Sequence, residues 1–129
     1  MANTFWEIAL STDPLAPMPA ENRGEAGGVV DFWGVVRGQE MGEPIKAIRY
    51  DAHPRMAHVW LERVAAETAE RFPLLPGCML RHRHGLVAAG EPSLHVRICC
   101  AHRGPALEAT GWLISRLKEV VPVWKEAVA

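Results

Sequence analysis

An α+β fold is what this sequence predicts, and three observations carry the prediction. β-branched and aromatic runs occur at strand length, two longer stretches repeat apolar side chains at helical period, and each of those stretches opens beside a proline. At 129 residues the chain fits a single domain, 1–129, long enough to bury a core without staples.

The elements follow in order. TFWEIAL (4–10) has strand character, and STDPLAPMPAENRGEAGG (11–28), rich in Pro, Gly and acidic residues, reads as a surface connection with room for a short helix. VVDFWGVVRG (29–38) is a strand by its β-branched and aromatic content; Gly34 inside it weakens a strand and so marks a bulge or a close backbone approach. IKAIRYDA (45–52) alternates as a second strand. A helix is predicted over 53–72, with Pro54 in its first turn and an inward face through positions 56, 59, 60, 64 and 68. GCMLRHRHGLVAAGEPSLHVRICCAHRG (77–104) reads as two strands, with Gly85 and the turn residues Gly90 to Pro92 between them. Gly104 and Pro105 open a second helix that runs to about Val121, where Pro122 ends it for want of an N–H.

Composition excludes several function classes. With 49% hydrophobic residues, 22% charged residues and a net charge of -1, nothing global attracts nucleic acid or an anionic membrane, so any anion site must be local. No stretch approaches the ~20 apolar residues of a membrane helix, and the expectation is a soluble cytoplasmic protein. The three cysteines, with Cys99 and Cys100 adjacent on opposite strand faces, point to reduced thiols rather than a disulfide framework. There is no P-loop, GxGxxG or GxSxG motif, which removes the usual nucleotide, dinucleotide and serine-hydrolase readings. His82 and His84, at strand spacing, could ligate zinc with Cys99 or Cys100, but no CxxC or HxxxH accompanies them.

LKEVVPVWKEA (117–127) raises the sharper question, because two lysines flank the break at Pro122. On a wheel of about 100° per residue with Leu107 at zero, Ile114, Val121, Thr110 and Leu117 form an apolar stripe, and Lys118 falls near 20°, beside it. Two readings stand. A lysine in the last turn can snorkel its ammonium to water and suit the negative end of the helix dipole. Alternatively, a partly desolvated lysine has its charged form disfavoured and its amine made available as nucleophile or proton acceptor. Lys125, taken alone, reads as a surface charge. Arg37 ends the first strong strand, and His102 and Arg103 stand where a strand hands over to a helix N-terminus, a position that offers N–H donors and a positive dipole end to an anion.

The runs FWGVVRG (32–38), HRHG (82–85), AHRGPALEA (101–109) and LKEVVPVWKEA (117–127) resemble, in order and spacing, the MoaE family, the large catalytic subunit of molybdopterin synthase. The likeness extends from about Val29 to Glu126. It implies an α/β-hammerhead-like fold with an additional antiparallel β-sheet. It also implies an enzyme of molybdenum cofactor biosynthesis, a sulfurtransferase that converts cyclic pyranopterin monophosphate into molybdopterin. Two sulfurs would come from the thiocarboxylated C-terminal Gly-Gly of a MoaD-like ubiquitin-fold small subunit, two large subunits forming the central dimer of a heterotetramer. Sulfur arriving already activated calls for no metal or redox cofactor.

The resemblance also assigns residues. Lys118 matches the catalytic lysine and Lys125 the second lysine of the site. Val35, Val36 and Arg37 match the substrate-contacting end of the first strand, and His102 and Arg103 match an anion-binding pair supplied across the dimer interface. Glu126 and Ala127 complete the substrate-binding set, with a departure: the family has a further residue between the second lysine and the Glu, whereas Glu126 follows Lys125 at once. The family also continues beyond position 129, and it commonly carries an aromatic where Leu107 stands. Two rival readings are a non-catalytic dimeric module that binds a ubiquitin-like tail, and a metal-binding regulator built on His82, His84 and the cysteines.

Overall fold

The computed structural model describes residues 6–19 and 24–129; the first two residues of the strand expected over 4–10 and part of the 11–28 connection lie outside them. The chain runs β1 (Trp6–Ser11), β2 (Gly28–Val35), β3 (Gln39–Glu40), β4 (Glu43–Pro44), β5 (Ala47–Ala52), α1 (Pro54–Arg71), β6 (Cys78–Arg83), β7 (Gly85–Ala88), β8 (Pro92–Cys100), α2 (Arg103–Val120) and β9 (Val123–Val128). A four-stranded sheet has the order β1-β6-β8-β2, with β1 and β6 parallel and the other pairs antiparallel. Beside it stand an antiparallel sheet of order β7-β5-β9 and the small β3-β4 hairpin. The α+β class and the additional antiparallel sheet agree with expectation.

Three features depart from it. The 77–104 segment forms three strands because Gly85, at φ 88°, turns the chain out of one sheet and into the other. The residues after Pro122 form β9, which pairs with β5 so that Lys125 stands opposite Tyr50. The 11–28 connection contains no helix among its described residues. The break at Gly34 does appear: the β2–β8 register shifts between Gly34 and Val35, and a Cβ on Gly34 would lie 3.3 Å from the Leu94 Cβ.

Both helices pack on one face of the four-stranded sheet, but each is rotated from the expected face. α1 buries Ala57, Leu61, Val64, Ala65 and Thr68, leaving Met56 and Val59 exposed. α2 buries Ala106, Ala109, Thr110, Leu113 and Leu117, while Leu107 is 59% exposed. The stripe therefore centres about 100° from Leu107. Two alanines on the inner face let α2 lie close to the sheet, and the bulky Leu107 points outward. A bidentate contact from Arg116 to Glu67, at 3.1 and 3.2 Å, joins the two helices. The resulting core gathers Leu61, Val64, Leu80, Val96, Ile98, Leu113 and their neighbours.

The opposite face of the sheet is polar and covered by the 11–19 segment. Arg81 Nε donates to His95 Nδ1 at 2.9 Å, so that nitrogen is unprotonated and Nε2–H donates to Asp31 Oδ1 at 2.6 Å. Arg97 Nε also donates to Asp31, at 2.8 Å, while the free ends of Arg81 and Arg97 reach the carbonyls of Ala16, Met18 and Pro19. Trp33 stacks on His95 with centroids 4.1 Å apart. Every charge in the layer is thus partnered.

This layer sets an acid limit. Burial holds His95 below its ordinary pKa of 6.5; burial opposes ionisation of Asp31, but hydrogen bonds from Arg97 and His95 outweigh it and hold the carboxyl below 3.8. Both groups bind protons more readily in the unfolded chain, so their stabilisation is present above the unfolded pKa and lost as pH falls through the folded one. Urea midpoints should decline from about pH 6.5 downward, and further below about pH 4. His95→Gln should flatten the upper part of that decline; an unchanged slope would show that His95 is not its source.

Candidate active site

A cleft of about 460 Å³ opens where the four-stranded sheet, the end of α2 and the β7-β5-β9 sheet meet. The bulge at Gly34 sets one wall, with Phe32, Gly34 and Val35 from β2 beside Ser93 and Leu94 from β8. The last turns of α2 supply Ile114, Leu117 and Lys118, followed by Val121. β5, β6 and β9 contribute Tyr50, His82, and Val123 with Lys125.

Pro122 brings the two lysines together. The helix ends at its C-cap, Val121, whose N–H bonds to Leu117 O, and the chain enters β9 within two residues. Lys118 lies about 120° from the centre of the buried stripe, on the flank that overhangs the cleft. It is exposed in the single chain, so burial by this chain does not supply the desolvation considered above. It has no ion-pair partner among the described residues. Lys125 sits 3.8 Å from Glu40, with its side chain 61% exposed. An exposed pair of that length contributes about 0–1 kcal/mol and leaves the ammonium available to a stronger anion.

The other expected residues divide. Val35 lines the cleft, whereas Val36 is buried with Ile48 and Val87 under the second sheet. Arg37 comes next on the surface, outside the cleft lining. Along β9 the side chains alternate, so Val123 and Lys125 face the cleft and Glu126 takes the opposite face, across from Arg49. Ala127, on the Lys125 face, lies beside Ile48 and beyond the cleft. His102 caps α2 without a side-chain capping bond, and Arg103 begins the helix; both are exposed. Fifteen residues of helix, about 22 Å, separate Arg103 from Lys118, so within one chain this pair stays away from the lysines.

His82 is the cleft residue whose placement differs most from the sequence reading. The zinc arrangement does not form: His84 lies outside β6, and Cys100 is six residues, about 20 Å, along β8 from Leu94, the cross-strand partner of His82. Among the described residues, no three His, Cys, Asp or Glu side chains are placed to hold a metal ion. Instead His82 Nδ1 lies 2.5 Å from the Arg83 carbonyl, and its ring meets Tyr50 edge-on at 5.5 Å. A carbonyl only accepts, so Nδ1 carries the proton and Nε2 keeps a lone pair. Burial holds this imidazole below pKa 6.5 and therefore neutral at pH 7, against the opposing pull of the carbonyl bond.

Comparison with known proteins decides the family. Residues 10–120 match the family model described as MoaE protein. The chain belongs to the MoaE family. A molybdopterin synthase catalytic subunit of Thermoplasma volcanium is 33% identical over 129 residues, covering 99% of this chain and 93% of that one. The structure of molybdopterin synthase from Staphylococcus aureus aligns at a TM-score of 0.79 and 27% identity, over 99% of this chain and 93% of that one. The complex of subunits 1 and 2 of the molybdopterin-converting factor from Helicobacter pylori aligns at 0.68 and 19% identity, over 95% of this chain and 84% of the other, a likeness of fold. In MoaE terms, the lysines and Val35 assigned by resemblance meet in the cleft, and the His102–Arg103 pair lies at the far end of α2. No helix among the described residues is long and apolar enough to cross a membrane.

The bulge makes the cleft sensitive to one substitution. In Gly34→Val the added side chain meets Leu94 within the wall, and a stability loss of about 1–3 kcal/mol is expected in urea denaturation. Unchanged stability would show that the wall yields there without strain.

Proposed function

We propose that this chain is the catalytic subunit of a molybdopterin synthase, converting cyclic pyranopterin monophosphate to molybdopterin with sulfur from the thiocarboxylated C-terminus of a MoaD-like small subunit. The observation that carries the reading is the convergence of Lys118 and Lys125 on one cleft, from two elements separated by Pro122. Membership of the MoaE family and the names of its relatives support the same reading.

The chemistry suits those groups. A phosphorylated pterin and a thiocarboxylate are both anions, and two lysines that lack a strong internal partner attract each of them into a site that the incoming tail then closes to water. Lys118, on the flank of α2, acts at the reacting carbon as acid, base or covalent partner; occupancy of the cleft supplies the desolvation absent in the free chain. Lys125 orients substrate and stabilises developing negative charge. Val35 contributes to the apolar wall, and Arg37, exposed two residues further along the chain, offers the substrate a further cation. His102 and Arg103 serve the same cleft from a second copy of the chain, in a central homodimer with a small subunit at each end.

The experiment is turnover with a thiocarboxylated small subunit. Wild type should form molybdopterin, and folded Lys118→Ala should lose about 10²–10³ in rate. Mixing Lys118→Ala with Arg103→Ala tests the second copy: mixed dimers carry one intact site, so activity should recover to about a quarter of wild type after subunit exchange. Recovery absent despite proven exchange would place Arg103 outside the partner's site.

A further inference from the structure

We infer that His82 is the general base of the cleft, its Nε2 accepting the proton of the water molecule that frees sulfur from its acyl carrier. The inference rests on the proposed function and adds a residue and a step to it.

Two structural facts single out His82. First, the Nδ1 bond to the Arg83 carbonyl fixes both ring orientation and tautomer, as the orienting partner of a catalytic histidine must. Second, Nε2 has no partner among the described residues and, unlike Trp6 Nε1 and Arg83 Nε, is not sealed from solvent. The residue is only 7% exposed and lines the cleft, so the cleft is where that lone pair opens. A structural histidine this deeply placed ordinarily satisfies both nitrogens, as His95 does one strand away.

The groups facing it are Tyr50 from β5, Lys118 from α2 and Lys125 from β9, with His84 in the turn beyond β6; β2 and β8 present Phe32, Gly34, Ser93 and Leu94. As an ammonium a lysine offers donors only, so whichever role Lys118 takes at the pterin carbon, the imidazole is a nitrogen lone pair at hand for the proton of the water. Its depressed pKa keeps that lone pair available through neutral pH.

The reaction needs such a group at one point. Sulfur passing from a thiocarboxylate to a pterin carbon leaves an acyl–sulfur bond, and water must cleave it. Nε2 takes a proton as the water oxygen bonds the acyl carbon; the carbon–sulfur bond then breaks, its electron pair leaves with sulfur, and the imidazolium returns the proton to that sulfur. A carboxylic acid and a thiol result, with no net oxidation or reduction.

The test is single turnover of the complete enzyme, with wild type, His82→Asn and His82→Gln compared by quenching and mass spectrometry. Asn keeps an N–H for the Arg83 carbonyl and deletes Nε2; Gln places a non-basic amide near Nε2. Both variants should fold and bind pterin and small subunit as wild type does. Product release should slow about 10²–10⁴-fold, with the acyl–sulfur adduct accumulating. Hydroxylamine, which cleaves such adducts without a base, should discharge it, and the acid limb of the wild-type profile, below about pH 6.5, should vanish in both variants. Wild-type rates in His82→Asn, full activity in His82→Gln, or slow turnover without adduct would each overturn the role of base. No product from wild type would overturn the proposed function itself, and this inference with it.

Discussion

The cleft depends on one backbone constraint, the proline that ends α2. An α-helix cannot continue through Pro122, whose ring fixes φ and removes a donor, and Val121 is already extended at φ -78° and ψ 123°. The chain is redirected at once: β9 begins at Val123 and pairs along the whole of β5. That pairing clamps the second sheet against the end of a helix whose other face is locked into the main core. The space left between them is the cleft, and the two lysines reach it from opposite sides of the break because the break lies between them.

Two polar clusters on either side of β6 and β8 obey opposite logic. On the outer face, Asp31, Arg81, His95 and Arg97 satisfy one another and the 11–19 carbonyls, as charges largely removed from water must. In the cleft, Lys118 lacks an ion-pair partner among the described residues, Lys125 has a long and exposed one, and His82 uses one of its two nitrogens. Two ammonium groups and a nitrogen lone pair left open toward one concave site mark where a ligand's groups are expected. The contrast between His82 and His95 on neighbouring strands is the clearest case, since only the second is closed at both ends.

What could be read in the sequence was what proline, glycine and β-branched residues determine locally: both helices within a residue or two, the bulge at Gly34, and the end of α2. What could not be read depended on contacts distant in the chain. The inner face of α2 is built on Ala106 and Ala109, whose smallness matters only once a sheet lies against them, and a wheel weighted toward large side chains turns to Leu107 instead. β9 is six residues long and mostly exposed, so its alternation of Val123, Lys125 and Ala127 acquires meaning only beside β5. The site divided the same way. Lys118 stands out beside the stripe of α2, Lys125 taken alone reads as a surface charge, and the place of His82 in the cleft depends on strand pairing that a sequence does not show.

The length of α2 carries the last step. The helix is 18 residues long, with Lys118 in its final turn and His102 and Arg103 at its start, where exposed N–H groups and the positive dipole end favour an anion. Gly28 lets β2 pass within 3.0–3.1 Å of the His102–Arg103 backbone, measured from the position a Cβ would take, so this end is held firmly rather than left loose. A rigid rod of about 27 Å cannot bring both ends to one small pterin. If both ends serve one substrate, a two-fold assembly achieves it by setting the start of one copy's helix beside the finish of the other's, and the interface repeats the arrangement at the second site. The cation at the far end is then the feature of a single chain that makes sense only in pairs.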